Sequence, residues 1–108
     1  MAVDTLPIFD AGKLHRQTMG DRSLQVEVLA LFVAEAERLM QQVEEAKDAA
    51  LRGERLRGMI AVARNIGAMR LAQEARAIET QIGSESPDLA PLRAAVSEAV
   101  AFVRRSTG

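Results

Sequence analysis

The chain has 108 residues, a length that makes one domain with a single modest core. Its 48% hydrophobic and 27% charged residues exclude a disordered chain, and a formal net charge of -1 gives no bulk attraction for nucleic acid or an anionic membrane surface. The absence of cysteine excludes disulfides, thiolate catalysis and cysteine-ligated metals and fits a reducing cytoplasm; no apolar run reaches the length of a membrane span, and Met1 to Asp10 does not read as a signal peptide.

In chain order, a short helix is expected from about Asp10 to Met19, with Asp10 as its N-cap and Gly20 after its end. Asp21 starts a longer helix with apolar positions at Leu24, Val28, Phe32, Leu39, Val43, Ala46 and Ala50, ended by Gly53. The steps of three, four and seven between those positions are the stripe of an amphipathic helix. A third helix carries Leu56, Met59, Val62, Ala63 and Ile66, with a break or kink at Asn65 and Gly67. Leu71, Ala75, Ile78 and Ile82 make a fourth stripe, stopped by Gly83 and Ser84. Ser86 then reads as an N-cap, Pro87 as the first helical residue and Asp88 as an early acid. Leu89, Leu92, Val96, Val100 and Val103 line the last helix, and Arg104 and Arg105 sit where its dipole favours cations.

No alternating apolar pattern of useful length occurs, so no sheet is expected. The fold class is all-α: an up-and-down four-helix bundle with a short extra N-terminal helix, formed by residues 1–108 as one domain. Aromatic residues are only 3% of the chain, so the core is aliphatic.

The chemical motifs that such a bundle can carry are missing. No glycine-rich stretch precedes a Lys-Ser or Lys-Thr pair, so there is no phosphate loop. The one histidine, His15, has no Glu-x-x-His partner in its own turn, and no cofactor or metal is expected. Glu44 with Glu45, and Glu35 with Glu37, read as solvated faces rather than acid–base pairs.

The third helix carries a resemblance. The stretch Ala63-Arg64-Asn65-Ile66-Gly67-Ala68-Met69-Arg70-Leu71-Ala72 resembles the end of the signature helix of histidine-phosphotransfer (HPt) domains, whose pattern runs His-x-x-Lys-Gly-x-Ala-x-x-x-Gly-Ala-x-x-Leu. Ile8-Phe9-Asp10 with Leu14, Gly20-Asp21, Glu27-Val28-Leu29 with Phe32, and Glu74 with Glu79 resemble the flanking regions in the same order. The resemblance implies a role in bacterial two-component or phosphorelay signalling. In that family an exposed histidine in mid-helix takes a phosphoryl group from a receiver aspartate and passes it on, which requires a neutral ring nitrogen. A lysine one turn on attracts the phosphoryl oxygens, and a small residue nearby lets the receiver approach.

Carried over without a gap, the nucleophile position falls on Arg57, the lysine position on Ile60 and the small position on Ala61. A guanidinium stays protonated and offers no lone pair, so phosphotransfer is expected to be lost. A gapped register, Glu54-Arg55-Leu56-Arg57-Gly58 on His-x-x-Lys-Gly, needs three extra residues in the helix, a rotation of about 300°. Either register lacks the histidine.

The expected function is therefore an HPt-like module that is not an enzyme. It binds a response-regulator receiver domain or a histidine kinase, as a monomer or weak dimer, through a face containing Arg57, Ile60, Ala61, Arg64 and Gly67. Two alternatives remain: an active relay intermediate using His15, and a structural or oligomerisation bundle associating through Met59 and Ile60.

Overall fold

A computed structural model describes residues 6–81 and 87–107. The described residues form five helices and no strand: α1 (Ala11–Thr18), α2 (Arg22–Glu45), α3 (Ala49–Ile66), α4 (Met69–Glu79) and α5 (Ala90–Thr107). No helix among them is long and apolar enough to cross a membrane.

The first two starts follow the sequence signals. Asp10 caps α1 by accepting from the backbone N–H of Lys13 at 3.1 Å, and Asp21 caps α2 by accepting from Leu24 at 3.1 Å. Helix α1 ends at Met19, a left-handed residue with φ of 53°. The N–H of Gly20, which follows it, bonds the carbonyl of His15.

The long second helix is shorter than expected. It ends at Glu45 rather than at Gly53, so Ala50 and Gly53 belong to α3. The cause is Asp48, an extended residue whose carboxylate accepts from the N–H of Leu51 at 2.8 Å and so starts a new helix. The apolar stripe runs through this break because Ala46 and Ala50 keep helical spacing across it.

The break at Gly67 is present and has a specific geometry. Gly67 is the C-cap of α3 with φ of +87°, and the N–H of Ala68 bonds the carbonyl of Ala63 at 2.8 Å. Helix α4 starts at once, but Ala68 offers no side-chain cap. The segment before α1 serves instead: Ile8 accepts from the N–H of Met69 at 3.1 Å, and Asp10 donates its N–H to the carbonyl of Gly67 at 2.8 Å. Arg70 adds a bond from Nε to the carbonyl of Leu6 and an ion pair with Glu98 of α5 at 2.7 Å.

The last helix starts later than the sequence indicates. Pro87 lies outside it, and the first helical residue is Ala90, whose N–H is bound by Asp88 at 3.0 Å. Pro91 occupies the first turn, where a missing N–H costs nothing. Helix α4 ends at Glu79, with Thr80 as its C-cap, short of the expected stripe position Ile82; Ile82, the expected stop at Gly83 and Ser84, and Ser86 lie outside the described residues. Arg104 and Arg105 stand in the final turn as expected.

Helix α2 packs on α3 and α5, and α4 packs on the same two; α2 does not meet α4, nor α3 meet α5. Helix α1 lies across α2 and α3. The core is aliphatic, with Val43, Leu56, Met59, Leu71 and Leu92 fully buried. The phenylalanines gather at one end, where the Phe9 ring meets Phe32 edge-on at 5.5 Å and stacks on Phe102 at 4.9 Å.

Two substitutions test this reading. Gly67→Ala places a Cβ 3.3 Å from the backbone oxygen of Asp10 at a left-handed φ, and is expected to lower stability by about 1–3 kcal/mol in urea denaturation. Asp48→Ala removes the cap that separates α2 from α3 and is expected to cost about 1 kcal/mol in the same measurement.

Candidate functional site

Helix α3 has two faces. Leu56, Met59, Ile60, Ala63 and Ile66 point into the core, and Glu54, Arg57, Ala61, Arg64 and Asn65 are exposed. The steps of three and four from Glu54 through Arg57 and Ala61 to Arg64 put these four on one outward stripe.

Of the five residues expected on a docking face, three lie together on the outward side of α3. Arg57, Ala61 and Arg64 share the outward stripe. Ile60 does not: only 8% of it is exposed, and it belongs to the core cluster. The step of four from Leu56 to Ile60 keeps it on the buried side, which also removes Met59 and Ile60 as a self-associating face. Gly67 does not either. It is buried, and a Cβ there would meet Asp10 and Lys13, so it serves the junction with α1. These positions separate the two sequence registers. The ungapped one places the lysine position on buried Ile60; the gapped one places it on exposed Arg57, with exposed Glu54 at the nucleophile position.

Arg57 has an acidic neighbour in α4. Its guanidinium lies 3.6 Å from the carboxylate of Glu79 in α4, with the arginine side chain 59% exposed and the glutamate 25%. Gly53 lies one turn earlier, and a Cβ there would stand 3.4 Å from the guanidinium, an ordinary contact distance. The cation is thus directed towards α4 while remaining open to solvent. Arginine offers planar donors to a carboxylate and no nucleophile.

His15 is exposed on α1, with its ring against Gly20. Among the described residues, no three His, Cys, Asp or Glu side chains gather as a metal set.

Sequence reasoning missed a groove on the α2 side of this face. It has a volume of about 380 Å³ and is lined by Val28, Leu31, Phe32, Val62 and Ile66, with Gln17, Glu35 and Asn65 among its polar lining residues. Glu35 is hydrogen-bonded to Arg38, and that guanidinium holds its carboxyl below the ordinary carboxylate value. Leu31, one of its lining residues, is 71% exposed, although its spacing of three from Val28 and seven from Leu24 keeps it in phase with the apolar stripe, so the sequence carried no signal for the groove.

No family model, curated protein or solved structure matches the chain.

The Arg57–Glu79 pair is solvent-exposed, so Arg57→Ala is expected to change stability by less than about 1 kcal/mol in thermal or urea unfolding. A larger loss would mean that Arg57 is a structural residue.

Proposed function

We propose that the chain is an up-and-down four-helix bundle of the histidine-phosphotransfer type that docks on a receiver domain or a histidine kinase without carrying a phosphoryl group itself. The bundle reading is supported by the ring of contacts α2–α3–α4–α5–α2 and by the absence of diagonal contacts among the described helices. Helix α1 is then the short extra helix.

One observation supports the functional reading: α3 carries an exposed stripe, from Glu54 through Arg57 to Arg64, that contains no imidazole, and the sequence resemblance aligns the family's histidine with Arg57 or Glu54 on that stripe. Helix-face docking needs shape and charge rather than a nucleophile. Arg57 and Arg64 supply the charge, Ala61 the low relief between them. Glu79 already pairs with Arg57, so an acidic partner group would exchange for it at little cost in this exposed setting.

The test is calorimetric titration of the chain with the receivers and kinase cores of its own organism. A partner is expected to bind in the micromolar range, and Arg57→Glu is expected to weaken it about tenfold, or about 1.4 kcal/mol. Absence of binding to any of them would sink the reading. A parallel incubation with phosphorylated receiver is expected to leave no acid-labile label on the chain. Label that disappears in His15→Ala would establish the relay alternative instead.

A further inference from the structure

Helices α3 and α4 are joined only by the turn at Gly67 and Ala68, so they run antiparallel. The contact between Arg57 and Glu79 fixes their register, because the two residues stand at nearly equal distances from that turn. From this contact, three residues back along α4 lead to Arg76, and seven forward along α3 lead to Arg64. In an antiparallel pair both steps run the same way, over about 4.5 Å and about 10.5 Å. Arg76 therefore stands level with the middle of the segment from Arg57 to Arg64, where Ala61 is exposed. It is itself exposed, and residues three apart on a helix are neighbours, so it shares the side of α4 that carries Glu79.

Three guanidiniums thus border the α3–α4 seam. Glu79 answers Arg57 in part, whereas no ion pair is seen for Arg64 or Arg76 among the described residues. Glu54, one turn before Arg57 on the same stripe, bounds the set at its far end. With both acids counted, the seam keeps a positive excess on a chain whose net charge is -1. Guanidiniums match carboxylates through paired N–H donors, and Glu79 shows that a carboxylate already fits beside Arg57. Ala61 puts only a methyl group among the arginines, so an acidic side chain from outside meets no obstruction there.

We propose that the docking face extends over α4 rather than over α2, and that its occupant is an acidic patch on a partner protein, whose carboxylates are shared among Arg57, Arg64 and Arg76. Arg76 is the residue this adds to the face. The identity of the partner rests on the docking reading above; the chemistry recognised does not.

A nuclear magnetic resonance titration of the isotope-labelled full chain with hexaglutamate tests that chemistry. The amide shifts are expected to be largest across residues 57–64 and 72–79, with a millimolar midpoint. Arg76→Glu is expected to weaken this binding about tenfold. Arg105→Glu makes the same change of net charge in the last turn of α5, and is expected to weaken it less than about twofold. If Arg76→Glu loses helicity, Arg76→Ala takes its place, with an expected loss of about threefold. No shift at those residues, larger shifts elsewhere, or equal weakening by the two charge reversals overturns the proposal. In the calorimetric titration with receivers and kinase cores, Arg76→Glu is expected to weaken a bound partner about tenfold. A partner that binds this variant as tightly as the unaltered chain overturns the α4 face and leaves docking standing. Binding of hexaglutamate at the seam, with no receiver or kinase bound, sinks the docking reading and leaves the acidic-patch site standing.

Discussion

The junction between α3 and α4 depends on the chain segment that precedes α1. A helix end leaves carbonyls and N–H groups without partners, and here two ends meet at Gly67 and Ala68 with no side-chain cap between them. Ile8 and Asp10 supply the missing backbone partners, and Arg70 ties Leu6 to the same place. Between those bonds Phe9 enters the core and touches Phe32 of α2 and Phe102 of α5. One short strap therefore contacts three helices and the turn between α3 and α4. Glycine is required at position 67 both for its positive φ and because any Cβ would press on the strap. The rotation of α3 about its own axis, and so the choice of side chains it shows to solvent, is fixed there.

That rotation decides what α3 presents. Ile60 and Met59 are committed to the core, and the outward stripe is left with charged and small residues. Arg57 pairs with Glu79, which directs its cation towards α4. Arg64, for which no ion pair is seen among the described residues, lies nearer the C-terminal end of α3. The α2 side of the face has a different character, because Leu31 projects there at 71% exposure, the most of any large apolar side chain in the described helices. Helix α3 thus shows a charged stripe with Glu54, Arg57 and Arg64, and the apolar groove lies between it and α2.

Much of this was legible in the sequence. Asp10, Gly20 and Asp21 mark the first two helices, and the stripes from Leu56 to Ile66 and from Leu92 to Val103 name the core side correctly. The misplaced end of α2 came from a single cap: Asp48 acts locally, while the apolar spacing from Val43 to Ala50 passes over it unchanged. Ile60 was misassigned because aligning a family pattern fixes a position's number but not its angle about the helix axis. Gly67 looked like a feature of the helix surface, and its partner turned out to be the strap, more than fifty positions away along the chain. Contacts of that range leave no mark in local periodicity. Leu31 keeps the spacing of Leu24 and Val28 in the sequence, so nothing there told that it is exposed or that a recess stands beside it.

The strap also orders the events of folding. The pairings of α2 with α3 and of α3 with α4 join neighbours in the chain, so they close early and at small loop cost. The bond from Arg70 to Leu6 spans 64 residues, and Phe9 reaches Phe102 near the opposite end of the described chain. Such contacts close only after most of the helices have met, which puts them outside the folding nucleus. A chain built this way collapses first around α3 and is locked last by its own leading segment. Weakening the lock then shortens the lifetime of the native state while leaving the speed of its formation nearly unchanged.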